Sequence, residues 1–227
     1  MQNKRVLAWR RLGKLWKKPE GISPKPSCFS RQEGETAVLN RVKSLLERVL
    51  DKLVGDRILL SPNAITLLSL VFSAATLLAS YLGFPLLFTA FVLLLSALLD
   101  SLDGYVARKR GRITKFGAFF DSTVDRISDA LHTYALYLCG ILEPHLAYAM
   151  LASEYLVSYT RARAESLGAS FSGIGLMERG ERVLAKAAVI VLQSANPYAS
   201  RALAYALIVL TAVTAAQRVH AAADMLK

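Results

Sequence analysis

The chain has 227 residues, 54% of them hydrophobic, and its 28 Lys and Arg against 17 Asp and Glu give a formal charge of +11. A pI near 9.8 beside a mean hydropathy of +0.36 excludes the ordinary basic proteins: a nucleic-acid-binding domain is polar overall, and a disordered basic tail is poor in Leu and Ala. Charge and apolar mass are segregated instead, with fourteen basic residues in positions 1–60 and none of either sign across the 39 residues from Ser61 to Leu99. About 20 apolar residues span a bilayer, so the composition points to an integral membrane protein and away from a nucleic-acid partner.

In chain order, residues 1–35 read as a basic flexible arm, with Lys4, Arg5, Arg10, Arg11, Lys14, Lys17 and Lys18 interleaved with Leu and Trp, then a stretch rich in Pro, Ser and Gly. No 7–15-residue apolar core follows those charges, so the start does not read as a secretory signal. Trp9 and Trp16 suit a membrane surface, where aromatic side chains rest at headgroup level. Over 36–60, Val38, Val42, Leu45, Leu46, Val49, Leu50 and Leu53 recur at helical spacing among Arg41, Lys43, Arg48 and Lys52. That pattern predicts an amphipathic juxtamembrane helix lying in the interface plane, although a dimer helix carries the same signature.

Residues 61–227 predict an all-α membrane domain of six transmembrane helices, near 62–82, 86–107, 117–142, 145–166, 180–196 and 198–220. The turns at Gly83-Phe84-Pro85, Glu143-Pro144-His145 and Asn196-Pro197 carry little charge. The alternate loops hold Arg108, Lys109, Arg110, Arg112 and Lys115, then Arg161, Arg163, Arg179, Arg182 and Lys186. Because cytoplasmic loops carry the Lys and Arg excess, both termini and the basic loops are expected on the cytoplasmic face of a multi-pass protein. Cys28 and Cys139 lack metal-ligand spacing and read as free thiols.

After the uncharged stretch come Asp100-Ser-Leu-Asp103-Gly104-Tyr-Val-Ala107-Arg108, eight further residues, and Gly117-Ala-Phe-Phe-Asp121-Ser-Thr-Val-Asp125. Asp100 and Asp103 are three apart and Asp121 and Asp125 four apart, so each pair shares a helix face. A short loop makes the two helices antiparallel neighbours, and the four carboxylates can converge at one membrane face. Bare anions there would repel strongly. An oxygen-only donor set without nearby His or Cys selects Mg²⁺ or Mn²⁺ over zinc, while the plainer alternative is a set of helix-end carboxylates paired with Arg108 and Arg126. Gly104, Ala107 and Gly117 keep the same faces shallow, and with Arg108 they suit a phosphorylated, planar ligand. An ion path for a divalent-ion transporter would prefer acids near mid-span, whereas these lie within two turns of one face.

Asp-x-x-Asp-Gly-x-x-Ala-Arg-(x)8-Gly-x-x-x-Asp-x-x-x-Asp resembles the signature of the CDP-alcohol phosphotransferase family at every fixed position, and the six spans extend the likeness over about 40–220. The resemblance implies a transferase that displaces CMP from a CDP-linked lipid with an alcohol. It implies that Asp100, Asp103, Asp121 and Asp125 hold Mg²⁺ or Mn²⁺, two ions in all, with Asp125 as general base. It also implies that Gly104, Ala107, Arg108, Thr114 and Gly117, with Asp100 and Asp121, line the nucleotide site. Pro62-Asn63-Ala-Ile-Thr66 is similar to the family's Pro-Asn-x-x-Thr and adds Asn63 and Thr66. Asp129 lies outside the signature and is expected to be solvated or paired with Arg.

The second basic loop bears on the acceptor. Several arginines from different helices at one face can clamp a phosphate dianion, because guanidinium matches phosphate geometry bidentately. Ser158-x-x-Arg161-Ala-Arg163-Ala-Glu165 and Glu178-Arg179-x-Glu181-Arg182 resemble the branch that makes phosphatidylinositol phosphate or its archaeal ether-lipid counterpart, archaetidylinositol phosphate. That resemblance implies inositol 1-phosphate as acceptor, with Ser158, Arg161, Arg182 and Arg218 at its phosphate and Arg179 and Arg163 as lesser candidates. Arg161 stands where the family commonly has Lys. Glycerol 3-phosphate is the alternative acceptor, and the family resemblance suggests a homodimer.

Overall fold

A computed structural model describes residues 60–171 and 173–227. The expected arm, the amphipathic helix and Cys28 lie outside the described residues. Six helices follow in order: α1 (Pro62–Tyr81), α2 (Leu86–Lys109), α3 (Lys115–Leu138), α4 (Pro144–Ser166), α5 (Arg179–Ala195) and α6 (Pro197–Met225).

Their limits follow from local chemistry. Ser61 caps α1 by accepting from the Ala64 amide at 3.3 Å, with Pro62 in the first turn, where a missing N–H costs nothing. Thr114 caps α3 on the Gly117 amide at 2.9 Å, and Asn196 caps α6 on the Tyr198 and Ala199 amides, both at 3.1 Å. A reciprocal Glu178–Glu181 capping box starts α5. Helix α3 stops at Leu138, four residues short of the expected 142, because the chain turns through Gly140 at φ 69°. Helix α6 runs past the expected 220 to Met225, as nothing in Ala221–Asp224 breaks it.

Helix α1 packs on α2 and α3, and α6 on α4 and α5; α2 against α5 and α3 against α4 and α5 join the two groups. A core of Leu93, Leu136, Met150, Val183, Val189, Ile190 and Leu207 fills the junction. The buried stripe of α1 is small and polar, comprising Thr66, Ser69, Ser73, Thr76 and Ser80 beside Ile65 and Ala79. Its larger residues Leu67, Val71 and Leu78 are more than half exposed. Small interface residues let helix backbones approach in lipid, where burying Leu gains nothing. The Ser73 hydroxyl lies 2.7 Å from Ser96 Oγ of α2 and 3.0 Å from Ser128 Oγ of α3, tying three helices together.

The helices α1, α2 and α6 are long and apolar enough to cross a membrane. Helices α3, α4 and α5 carry charges, but the centre of the bundle takes them: Asp129, Glu154, Arg182 and Lys186 are each at most 2% exposed. Cys139 is a free, half-buried thiol with Sγ 3.6 Å from Ser80 Oγ.

Candidate active site

The end of α2 and the start of α3 are linked by five residues, 110–114, and carboxylates from the two helices come together beside this link. Asp100, Asp121 and Asp125 each offer one oxygen, and these oxygens all lie within 4.8 Å of one another. Asp100 Oδ1 is buried without a hydrogen-bond partner. Three hard oxygen donors with an orphaned carboxylate oxygen fit a divalent cation. Asp103 does not join the three. Its Oδ2 accepts from the Thr66 hydroxyl of α1, and the residue is 5% exposed. The i, i+3 spacing puts Asp103 on the correct face, but the neighbouring helix decides where its carboxylate turns.

Of the other residues expected at a nucleotide site, Asn63, Thr114 and Gly117 meet where α1 and α3 begin. A Cβ on Gly117 would come within 2.9 Å of Thr114 Oγ1 and 3.3 Å of Asn63 Oδ1, so the glycine keeps open the hollow between the Asn63 and Thr114 side chains. A Cβ on Gly104 would lie 3.3 Å from Arg108 Nη1, which folds back over the same face of α2. Ala107 is half-buried one turn beyond Gly104.

The acceptor candidates have separate partners. Arg161 Nε bonds Glu165 Oε1 at 2.9 Å on the exposed end of α4. Ser158 is half-buried on the same helix. Arg218, 5% exposed, donates from Nε to Ile174 O and from Nη1 to Val157 O, both at 2.8 Å, and so ties the α4–α5 loop to α6. Arg182 lies beneath the carboxylates, 3.8 Å from Asp129 Oδ2 and 3.6 Å from Glu154 Oε1.

Arg179, a lesser candidate in the sequence, takes the central position. Its Nη1 pairs with Asp100 Oδ2 and, at 2.9 Å, with Asp125 Oδ1, while its Nε lies 3.4 Å from Asp129 Oδ1. Asp125 Oδ2 also faces Arg126 Nη2 at 3.2 Å. Asp129 is Arg-paired rather than solvated, with Arg126, Arg179 and Arg182 all within 4 Å. Below it, Lys186 Nζ lies 2.8 Å from Glu154 Oε1 and 2.9 Å from Thr133 Oγ1. Glu154 has no role in the sequence pattern, where Lys186 reads only as loop charge. The available signal was that ionisable groups inside apolar helices are expensive and need partners.

The sequence pattern of the CDP-alcohol phosphatidyltransferase family matches residues 59–223. Archaetidylinositol phosphate synthase of Aeropyrum pernix is 41% identical over 184 residues, covering 80% of this chain and 94% of that protein. The crystal structure of Mycobacterium tuberculosis phosphatidylinositol phosphate synthase with CDP-DAG bound superposes with a TM-score of 0.64 at 30% identity, over 80% of this chain and 94% of that one. The same enzyme in complex with manganese and citrate gives a TM-score of 0.64 at 29% identity, over 79% and 88% of the two chains.

Proposed function

Because the chain belongs to the CDP-alcohol phosphatidyltransferase family, we propose that it transfers the phosphatidyl-type group of a CDP-linked lipid to a hydroxyl of inositol 1-phosphate. CMP is released and a phosphoinositol phosphate lipid is formed. The observation that carries this reading is the convergence of Asp100, Asp121 and Asp125 within 4.8 Å, near a glycine-lined hollow and against Arg179 at the start of α5. A relative 41% identical to this chain is named for synthesis of the corresponding archaeal lipid. The lipid is either CDP-diacylglycerol or CDP-archaeol, since the tail-facing residues are Leu, Val and Ala in either case.

Asp100, Asp121 and Asp125 would hold a divalent metal, Mg²⁺ or Mn²⁺, with Asp103 joining if its carboxylate leaves Thr66. The crystal structure of the relative with manganese supports a divalent ion. Such an ion supplies charge neutralisation for the pyrophosphate oxygens and for the departing CMP.

The chain's own residues do the rest. Asn63, Thr66, Gly104, Ala107, Arg108, Thr114 and Gly117 bind the cytidine and phosphates in the hollow where α1, α2 and α3 meet. The acceptor oxygen attacks the phosphorus that bears the lipid, and the bond from that phosphorus to the bridging oxygen breaks. CMP leaves with that oxygen and its electron pair. Asp125 takes the hydroxyl proton as general base, which contributes about 10²–10⁴-fold in rate. Arg182 and Arg179, with Ser158, Arg161 and Arg218 behind them, hold the acceptor's phosphate. All six helices cross the membrane, with this site at the cytoplasmic face.

The test supplies the purified chain with labelled CDP-lipid, Mg²⁺ and, in separate reactions, inositol 1-phosphate, glycerol 3-phosphate, free inositol or serine. CMP release and lipid product are expected with inositol 1-phosphate, and Asp125→Asn should lower turnover at least 100-fold without changing the thermal melt. Product with glycerol 3-phosphate alone would replace the acceptor, and a fully active Asp125→Asn would remove the base.

A further inference from the structure

Arg179 and Arg182 occupy the first turn and a quarter of α5. A helix N-terminus already carries the positive end of the peptide dipoles, so two guanidinium groups there stand against the backbone field. Arg182 is settled from below by Asp129 and Glu154, and its Nη1 donates to Met177 O at 3.1 Å. Glu154 is shared with Lys186, one turn along α5. Arg179 reaches the other way, and its Nη1 bridges Asp100 and Asp125 while its Nε stays at Asp129.

Two of the three carboxylates suited to a divalent ion are thus neutralised by a cation of the chain itself. Two cations compete for the same oxygens, so the guanidinium and a divalent ion oppose one another there. We propose that Arg179 is the resident counter-cation of the carboxylate cluster, displaced when the cluster takes a divalent ion, and that the freed guanidinium, still tethered at Asp129, completes the site for the acceptor's phosphate.

The charges decide the direction of this exchange. With Arg179 turned away from Asp100 and Asp125, its guanidinium stays with those of Arg126 and Arg182 around Asp129, three cations about one buried carboxylate. That is an attractive seat for a phosphate dianion, which finds guanidinium donors there. Cluster and phosphate seat are therefore coupled through one side chain, and coupling between two sites is reciprocal. The identity of the phosphate as the acceptor's rests on the function proposed above.

Mn²⁺ binding to the full chain in nanodiscs, followed by the electron paramagnetic resonance of free Mn²⁺ with and without sulfate as the dianion probe, tests the exchange without lipid substrate or turnover. In the native chain sulfate should tighten Mn²⁺ binding several-fold. Arg179→Gln should bind Mn²⁺ about tenfold more tightly than the native chain without sulfate, and sulfate should then change that affinity less than twofold. Arg179→Lys, which keeps the charge but not the two-pronged reach, should fall between and serves if the Gln variant misfolds. Unchanged or weaker Mn²⁺ binding in these variants would overturn the proposal. So would an undiminished sulfate effect, because the anion would then be acting directly on the ion. A negative result leaves the acceptor panel unaffected, and a failed acceptor panel leaves the Mn²⁺ titration standing.

Discussion

Glu154 and Lys186 show how single residues reconcile charge with an apolar bundle. Lys186 is 0% and Glu154 1% exposed, on α5 and α4, and the two lie 2.8 Å apart with Thr133 of α3 beside them. Removing one partner of such a buried pair leaves the other uncompensated, which costs about 3–5 kcal/mol, whereas replacing both with apolar side chains of similar volume is close to neutral. Glu154→Leu alone is therefore expected to lower the melting temperature sharply, and adding Lys186→Met should recover most of the loss. A thermal scan of the three variants checks this, and a single variant as stable as the double would contradict a stabilising pair. Asp129 and Arg182 are drawn into the same network, so the ground under the candidate active site is ionic rather than hydrophobic.

Among the elements, boundaries were legible and partners were not. Pro62, Pro144 and Pro197 start helices, and Gly83, Gly111, Gly140 and Gly168 follow helix ends at positive φ, so the expected segments fall within a few residues of the observed helices. The loop between α4 and α5 is less readable, because its order comes from α6. Gly175 has φ 119°, and a Cβ there would meet Thr214 Cγ2 at 2.5 Å. The Met177 amide donates to Thr214 Oγ1 at 3.1 Å and Ile174 O accepts from Arg218. Gly175→Ala combines backbone strain, about 1–3 kcal/mol, with a clash against α6. It should loosen the loop, seen as faster proteolysis within 167–178 and a lower melting temperature. Protection equal to the native chain would show that the close approach is not required.

At the scale of the molecule, among the described residues, Leu67, Leu87, Phe91 and Val209 are each more than half exposed, while Ser69, Ser73, Thr76, Glu154, Arg182 and Lys186 are buried. That inversion suits a protein whose surroundings are lipid. The proposed orientation puts the basic loops after α2 and α4 on the cytoplasmic side. With Cys28 and Cys139 replaced by Ser, a cysteine at Arg112 should react with an impermeant maleimide only from the cytoplasmic side, and one at Tyr198 only from outside. Labelling of both from one side would break the six-span topology.

The sequence by itself determined the helices, the membrane class and the family, because hydropathy, helix punctuation and a fixed spacing of carboxylates and glycines are local properties that survive in one dimension. Asp100, Asp121 and Asp125 were identifiable for the same reason. Only the tertiary structure decided that Asp103 turns to Thr66, that Arg179 lies among the carboxylates while Arg161 pairs with Glu165, and that Glu154 and Lys186 neutralise each other inside the bundle. A charge finds its partner through the packing of helices far apart in the chain, and spacing along one helix carries no record of which neighbour will face it.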